Sequence, residues 1–136
     1  MKKFVVLLLT LAMIPSIQSC KKKEETPKPT AKELLTKDDW RHVKTESYDT
    51  SGNLVNTQTL NHKVVFTVSG DYYYYNDSGD ISDYGTWELL DDDTKILITH
   101  HSGGNNFTFD IEKLTENEFN FSITGSTGKY IFYHTR

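Results

Sequence analysis

From Trp40 to the C-terminus, apolar and polar residues alternate with a period of two, and turn chemistry interrupts the pattern at intervals of roughly ten residues. Successive side chains on a strand point to opposite faces, so each such run has one buried and one wet face. "KVVFTV" (Lys63–Val68) puts Val64, Phe66 and Val68 on one face, "FTFDI" puts Phe107, Phe109 and Ile111 together, and "EFNFSIT" does the same with Phe119, Phe121 and Ile123. "WRHVKTESY", "YGTWELL", "KILITHH" and "KYIFYHTR" read as further strands, and "LVNTQTL" as an edge or exposed one. The breaks are "DTSGN", "SGD", "NDSGD", "DDDT" and "SGGNN", residues that favour turns. A short helical turn at "LLT", before Trp40, is the one helix signal.

Short strands joined by short turns pair as antiparallel hairpins in sequence order, since a parallel pair needs a long crossover. The pattern predicts an all-β antiparallel up-and-down meander of about eight strands. A closed barrel leaves no edge, while a half-barrel or a two-sheet sandwich is the alternative.

The ends of the chain carry a different signal. Met1, Lys2 and Lys3 precede "FVVLLLTLAMIPSI", the charged and apolar regions of an export signal. The run is shorter than the ~20 residues a membrane-spanning helix needs. "KKKEETPKPTAKE" then has no apolar period and two prolines, and reads as a disordered tether. The chain's only cysteine, Cys20, sits between them, so it has no partner for an internal disulfide or a sulfur metal site.

"IQSC" (Ile17–Cys20) resembles the lipobox of bacterial lipoproteins, with an aliphatic residue three positions before the cysteine and a small one directly before it. The resemblance implies that residues 1–19 are a signal peptide that is removed, that Cys20 is acylated, and that residues 20–33 tether a domain spanning 34–136. It implies a lipid anchor in the bacterial outer membrane, on the periplasmic face or the cell surface. The charged stretch around Lys23, Glu24 and Glu25 is similar to a surface-export signal. Each buried acyl methylene contributes about 0.8 kcal/mol, and stable anchoring takes more than one chain.

From Leu34 onward the domain has 8 Lys and Arg against 16 Asp and Glu, a formal charge of −8. Such a domain repels phosphate backbones, which excludes nucleic acid as a natural partner. The domain is expected to be a monomer.

"LLTKDDW" at the entry, "GTWEL" (Gly85–Leu89) followed by an acidic turn and "KILI", and "IEKLTENEFNF" (Ile111–Phe121) together resemble the small lipocalin-like domains of bacterial lipoproteins. Asp38 stands where lipocalins proper carry a glycine, two residues before the first-strand tryptophan, so barrel and half-barrel both stay open.

Signs of catalysis are few. "GSTGK" (Gly125–Lys129) lacks the remaining positions of a phosphate loop and reads as a hairpin turn. His100 and His101 point to opposite faces of a strand and do not chelate one ion. "NDSGDISD" and "LDDDT" gather carboxylates without the spacing of a calcium loop. The chain is therefore expected to be a non-enzymatic binder without a cofactor or bound metal.

Tyr72 and Tyr74 share one face of their strand, and Tyr73 and Tyr75 the other, so both faces are aromatic. Trp40 and Trp87 suit core packing, and Gly85 shares a face with Trp87, leaving room for a large neighbour or a kink. An eight-stranded barrel is wide enough for one small ligand. The expected lining for a small, partly apolar ligand is Tyr73, Tyr75, Trp87 and Phe109. The alternative is an interaction module that docks a protein or a surface glycan on its exposed aromatics.

Cys20→Ala is expected to leave residues 1–19 uncleaved and to release the protein from membranes. Cell fractionation with an intact-mass measurement checks this, and a variant that stays with the membrane overturns the lipoprotein reading.

Overall fold

The structure, a computed structural model, describes residues 27–101 and 103–136. Residues 1–26, with the expected signal peptide, Cys20 and the first part of the expected tether, lie outside the described residues. A helix, α1 (Ala31–Thr36), precedes eight strands: β1 (Trp40–Tyr48), β2 (Leu54–Phe66), β3 (Asp71–Tyr75), β4 (Ile81–Leu90), β5 (Lys95–His100), β6 (Phe107–Leu114), β7 (Glu118–Gly125) and β8 (Gly128–Thr135). Each strand pairs antiparallel with the next, and β8 pairs with β1 to close the barrel. The half-barrel and the sandwich are thereby set aside.

Some boundaries differ from the sequence pattern. "LVNTQTL" and "KVVFTV" form one strand of 13 residues. Its first half pairs with β1 alone, because β3 is short and meets β2 only from Lys63 to Phe66. That half is an exposed strand with one open side, and Leu54 and Val55 are in water. Val68, expected on the core face, is exposed because β2 ends at Phe66 and the chain turns through Thr67–Gly70.

The turns follow from side-chain chemistry. In "DTSGN" the Asp49 carboxylate accepts from the backbone N–H of Ser51 and Asn53, at 2.9 and 2.8 Å. In "NDSGD" the Asn76 side chain accepts from Ser78 and Asp80, both at 3.0 Å. A glycine in the left-handed region, Gly52 or Gly79, completes each turn at a φ of 84°. Gly85 has a different reason: a Cβ there would lie 1.8 Å from the Thr99 carbonyl oxygen, so the β5 backbone crosses where a side chain would stand.

α1 begins at Ala31, inside the stretch expected as tether. Thr30 caps it: its hydroxyl accepts from Glu33 N–H at 3.2 Å, and the Glu33 carboxylate accepts from Thr30 N–H at 2.7 Å. The helix closes one end of the barrel. Leu35 is fully buried there with Trp40, Val64, Phe66, Trp87, Ile96 and Phe119. Both indoles find acceptors, Trp40 on the Leu35 carbonyl at 3.0 Å and Trp87 on the Thr67 carbonyl at 3.1 Å. Arg136 stacks its guanidinium on Trp40 at 4.0 Å and donates to the Leu34 and Glu116 carbonyls, which ties the last residue of the chain to the helix.

Leu35→Ala is expected to cost about 2–5 kcal/mol of stability, the usual range for a leucine deleted from a packed core. Leu54→Ala, on the exposed half of β2, is expected to change stability by less than about 0.5 kcal/mol. Urea denaturation of both variants checks the assignment of the plug.

Candidate functional site: the barrel interior

Under α1 the interior is filled with side chains. Towards the other end the side chains leave a cavity of about 320 Å³, lined by His42, Val64, Tyr72, Tyr74, Ser82, Asp83, Ile98, His100, Phe109, Phe121, Phe132 and His134. Phe109 is on this wall, as expected from the sequence. Tyr73 and Tyr75 are not: the register Val64↔Tyr74 and Phe66↔Tyr72 puts Tyr72 and Tyr74 on the core face. Tyr73 and Tyr75 therefore lie on the outer face, ring centroids 6.5 Å apart, with the Lys63 ammonium 4.3 Å above the Tyr75 ring. Trp87 is interior but sits at the filled end, edge-on to Phe66 at 5.5 Å, and does not reach the cavity.

The polar part of the site is built by a fault in the first strand. The pairing of β1 shifts between His42 and Lys44 against both neighbours: over this step β1 has one residue more than β8 (His134 to Tyr133) and one fewer than β2 (His62 to Thr59), so the strand is irregular at Val43. The irregularity resets the alternation of β1, so His42 and Thr45 face inward together. His42 Nε2 lies 2.8 Å from the Thr45 hydroxyl, and His42 Nδ1 lies 2.7 Å from the Tyr74 hydroxyl. The same Tyr74 hydroxyl is 2.6 Å from His62 Nδ1. A phenol has one proton, so it donates to one imidazole and accepts from the other. Thr45, His42, Tyr74 and His62 thus form one continuous hydrogen-bond chain.

His134 continues the wall. Its ring stacks on His42 at 4.7 Å and on Phe121 at 4.9 Å, and Phe121 stacks on Phe132 at 5.1 Å. His134 Nδ1 is 3.0 Å from the Phe119 carbonyl. A carbonyl only accepts, so Nδ1 carries the proton. Burial pushes the His134 imidazole down to about 3 and the His42 imidazole to about 4, so both rings are neutral at pH 7. His134 Nε2 is therefore a lone-pair acceptor, without a partner among the described residues.

At the cavity's rim, Asp83 accepts from His100 Nδ1 at 2.5 Å. His101 points outward and stacks on Tyr84 at 4.9 Å, as strand geometry requires of adjacent histidines. Among the described residues, no group of three or more His, Cys, Asp or Glu is placed to hold a metal ion. No helix of the described residues is long and apolar enough to cross a membrane.

The histidines are what sequence reasoning missed. "WRH" and "FYH" place His42 in phase with Trp40, and His134 in phase with Phe132, so the alternation itself carried the signal.

A neutral buried histidine takes up its proton only on unfolding. Below the ordinary histidine value of 6.5 the unfolded chain binds more protons than the folded one, so stability falls as pH falls. Glu46, held near 2 chiefly by hydrogen bonds from Lys44, Tyr133 and Tyr48, loses its contribution only below the ordinary glutamate value of 4.5. Between pH 6.5 and 4.5 the slope therefore belongs to the histidines. The urea midpoint is expected to drop across that window in the native chain and to drop less in His134→Phe; a flat profile would contradict the burial of neutral imidazoles.

Comparison with known proteins places the architecture. No family model and no curated protein matches the chain. Among solved structures it is similar to an uncharacterized protein from Bacteroides eggerthii, with 19% identity and a TM-score of 0.54 over 75% of this chain and 99% of that one. It is also similar to a lipocalin-like protein from Bacteroides uniformis, with 13% identity and a TM-score of 0.53 over 76% and 99% of the two chains. At these identities the likeness speaks for the fold alone, and the fold of this chain is lipocalin-like: a closed, eight-stranded antiparallel meander barrel.

Proposed function

We propose that this chain is a lipid-anchored envelope protein that binds a small, partly apolar ligand inside its barrel, without catalysing a reaction. The observation that carries the reading is the 320 Å³ cavity between the plug and the open end, walled mainly by aromatic rings. Ligand sites are typically apolar concavities of about this size or larger, with a few placed polar groups. The anchor rests on the Cys20 lipobox and the outer-membrane location follows from it.

The binding reading is preferred to catalysis on geometry. Asp83 and His100 make two members of a nucleophilic triad. The Ser82 hydroxyl next to them in the chain instead donates to the Tyr74 carbonyl at 3.2 Å, so it is not in line with the imidazole. His42 has both ring nitrogens engaged, by Thr45 and Tyr74.

A second reading is favoured by the outer surface. The half of β2 that pairs with β1 alone has a row of open backbone groups, and Tyr73, Tyr75 and Tyr84 lie on the outer wall nearby. Such a surface can dock a protein or a glycan with the interior empty.

Native mass spectrometry of residues 27–136, which hold every strand and the plug, separates the two. Purified from the source cells, the domain is expected to carry a reproducible extra mass that leaves on denaturation. A bare mass, together with a partner lost on mutating Tyr73 and Tyr75, would overturn the first reading in favour of the second.

A further inference from the structure

Two polar groups inside the cavity are built but unused. His134 is 1% exposed, and its Nε2 has no partner among the described residues, while Nδ1 is committed to the Phe119 carbonyl. Tyr72 is 7% exposed, and its hydroxyl has no hydrogen bond among the described residues. Neither atom is sealed in protein, since among the described residues the one fully buried side-chain atom without a partner is Arg136 Nε, beside the plug. Both residues line the cavity. A buried polar group without a partner is costly, so such groups are normally met by protein, water or ligand.

The other two hydroxyls on the wall are engaged: that of Ser82 donates to the Tyr74 carbonyl, and that of Tyr74 is held on two sides. It meets His42 on one side and His62 on the other. The ligand-facing polar set in the depth of the barrel is therefore one acceptor, His134 Nε2, and one hydroxyl, Tyr72. Between them lie Phe109, Phe121 and Phe132, flat walls suited to a flat occupant.

Charge narrows the class further. Among the described residues no Lys or Arg lines the cavity, and Asp83 is on its wall. The domain around it carries a formal −8. A carboxylate or phosphate entering here would lose its water without gaining a cation. A cavity of about 150 Å³ takes one benzene ring, so 320 Å³ suits a compound of about two rings.

Resting on the binding reading above, we infer that the ligand is a neutral, planar compound of about two rings carrying a hydroxyl or N–H, which donates to His134 Nε2 and accepts from the Tyr72 hydroxyl.

Fluorescence titration of residues 27–136 with 2-naphthol, naphthalene and 2-naphthoate tests this, because the three share a ring system and differ in donor and charge. 2-Naphthol is expected to bind about 10-fold more tightly than naphthalene, and 2-naphthoate more weakly than either. Tyr72→Phe removes one hydroxyl without changing the packing, and is expected to cut the preference for naphthol over naphthalene by about 5-fold. His134→Phe, which keeps the stack on His42 and Phe121, is expected to abolish it. Equal binding of naphthol and naphthalene by the native domain, or a preference left unchanged by Tyr72→Phe, overturns the assigned donor and acceptor and leaves the binding reading standing. Tightest binding by naphthoate overturns the neutral class. Failure of all three probes overturns the inference, and the mass measurement on the natural occupant then decides the binding reading separately.

Discussion

Pairing of β8 with β1, from Arg41↔Thr135 to Tyr48↔Lys129, is the constraint on which the rest of the structure depends. It turns a meander into a tube and removes the long edges that an open sheet of eight strands would present. It also fixes what each face means. Once the tube is closed, every inward residue competes for a lumen only wide enough for side chains or one small ligand. Large rings at one end fill it. Trp40, Phe66, Trp87 and Phe119 do this under the lid of Leu35, and the vacancy is pushed to the other end.

The interior is not uniform because β1 is not regular. Without the irregularity at Val43, strict alternation would put Lys44 inward after His42. A lysine in that lumen would need a buried counter-ion. The irregularity turns Lys44 out instead, to an external cluster in which Glu46 accepts from Lys44, Tyr48 and Tyr133. It turns Thr45 in to meet His42. One irregular step in β1 thus exchanges a charge for a hydroxyl in the lumen and supplies the end of the hydrogen-bond chain through Tyr74 to His62.

The fold was legible in the sequence because period-two patterning and turn residues are local signals. "NDSGD" makes its turn with its own Asn76 side chain, and "FTFDI" reads as a strand without reference to any neighbour. The site was less legible because it depends on register. Four tyrosines in a row offer two equivalent faces, and only the pairing Val64↔Tyr74 decides between them. The sequence pattern supports Tyr73 and Tyr75 no better than Tyr72 and Tyr74, and the pairing turns Tyr72 and Tyr74 inward. The alternation points Trp87 and Phe109 inward, and both are buried. Which of them meets the cavity depends on height along the barrel, set by the plug α1, and no strand pattern encodes that height.

The same plug relates the two ends of the molecule. α1 enters the barrel at its filled end, and Arg136, the last residue, is bound there to the Leu34 carbonyl and stacked on Trp40. The turns Asp49–Asn53 and Asn76–Asp80, with Asp83 and His100, lie at the opposite end, where the cavity opens. An anchor upstream of α1, as proposed for Cys20, would attach on the side of the closed end and leave the mouth clear of the point of attachment. The polar rim of Asp83 and His100 would then face water, and the deep acceptor on His134 would be reached only by a ligand that had left that water behind. In that geometry selectivity depends on desolvation: an apolar compound gains from the rings, and an ion loses its hydration without recompense. Only a neutral compound with a well-placed donor gains from both the walls and the histidine.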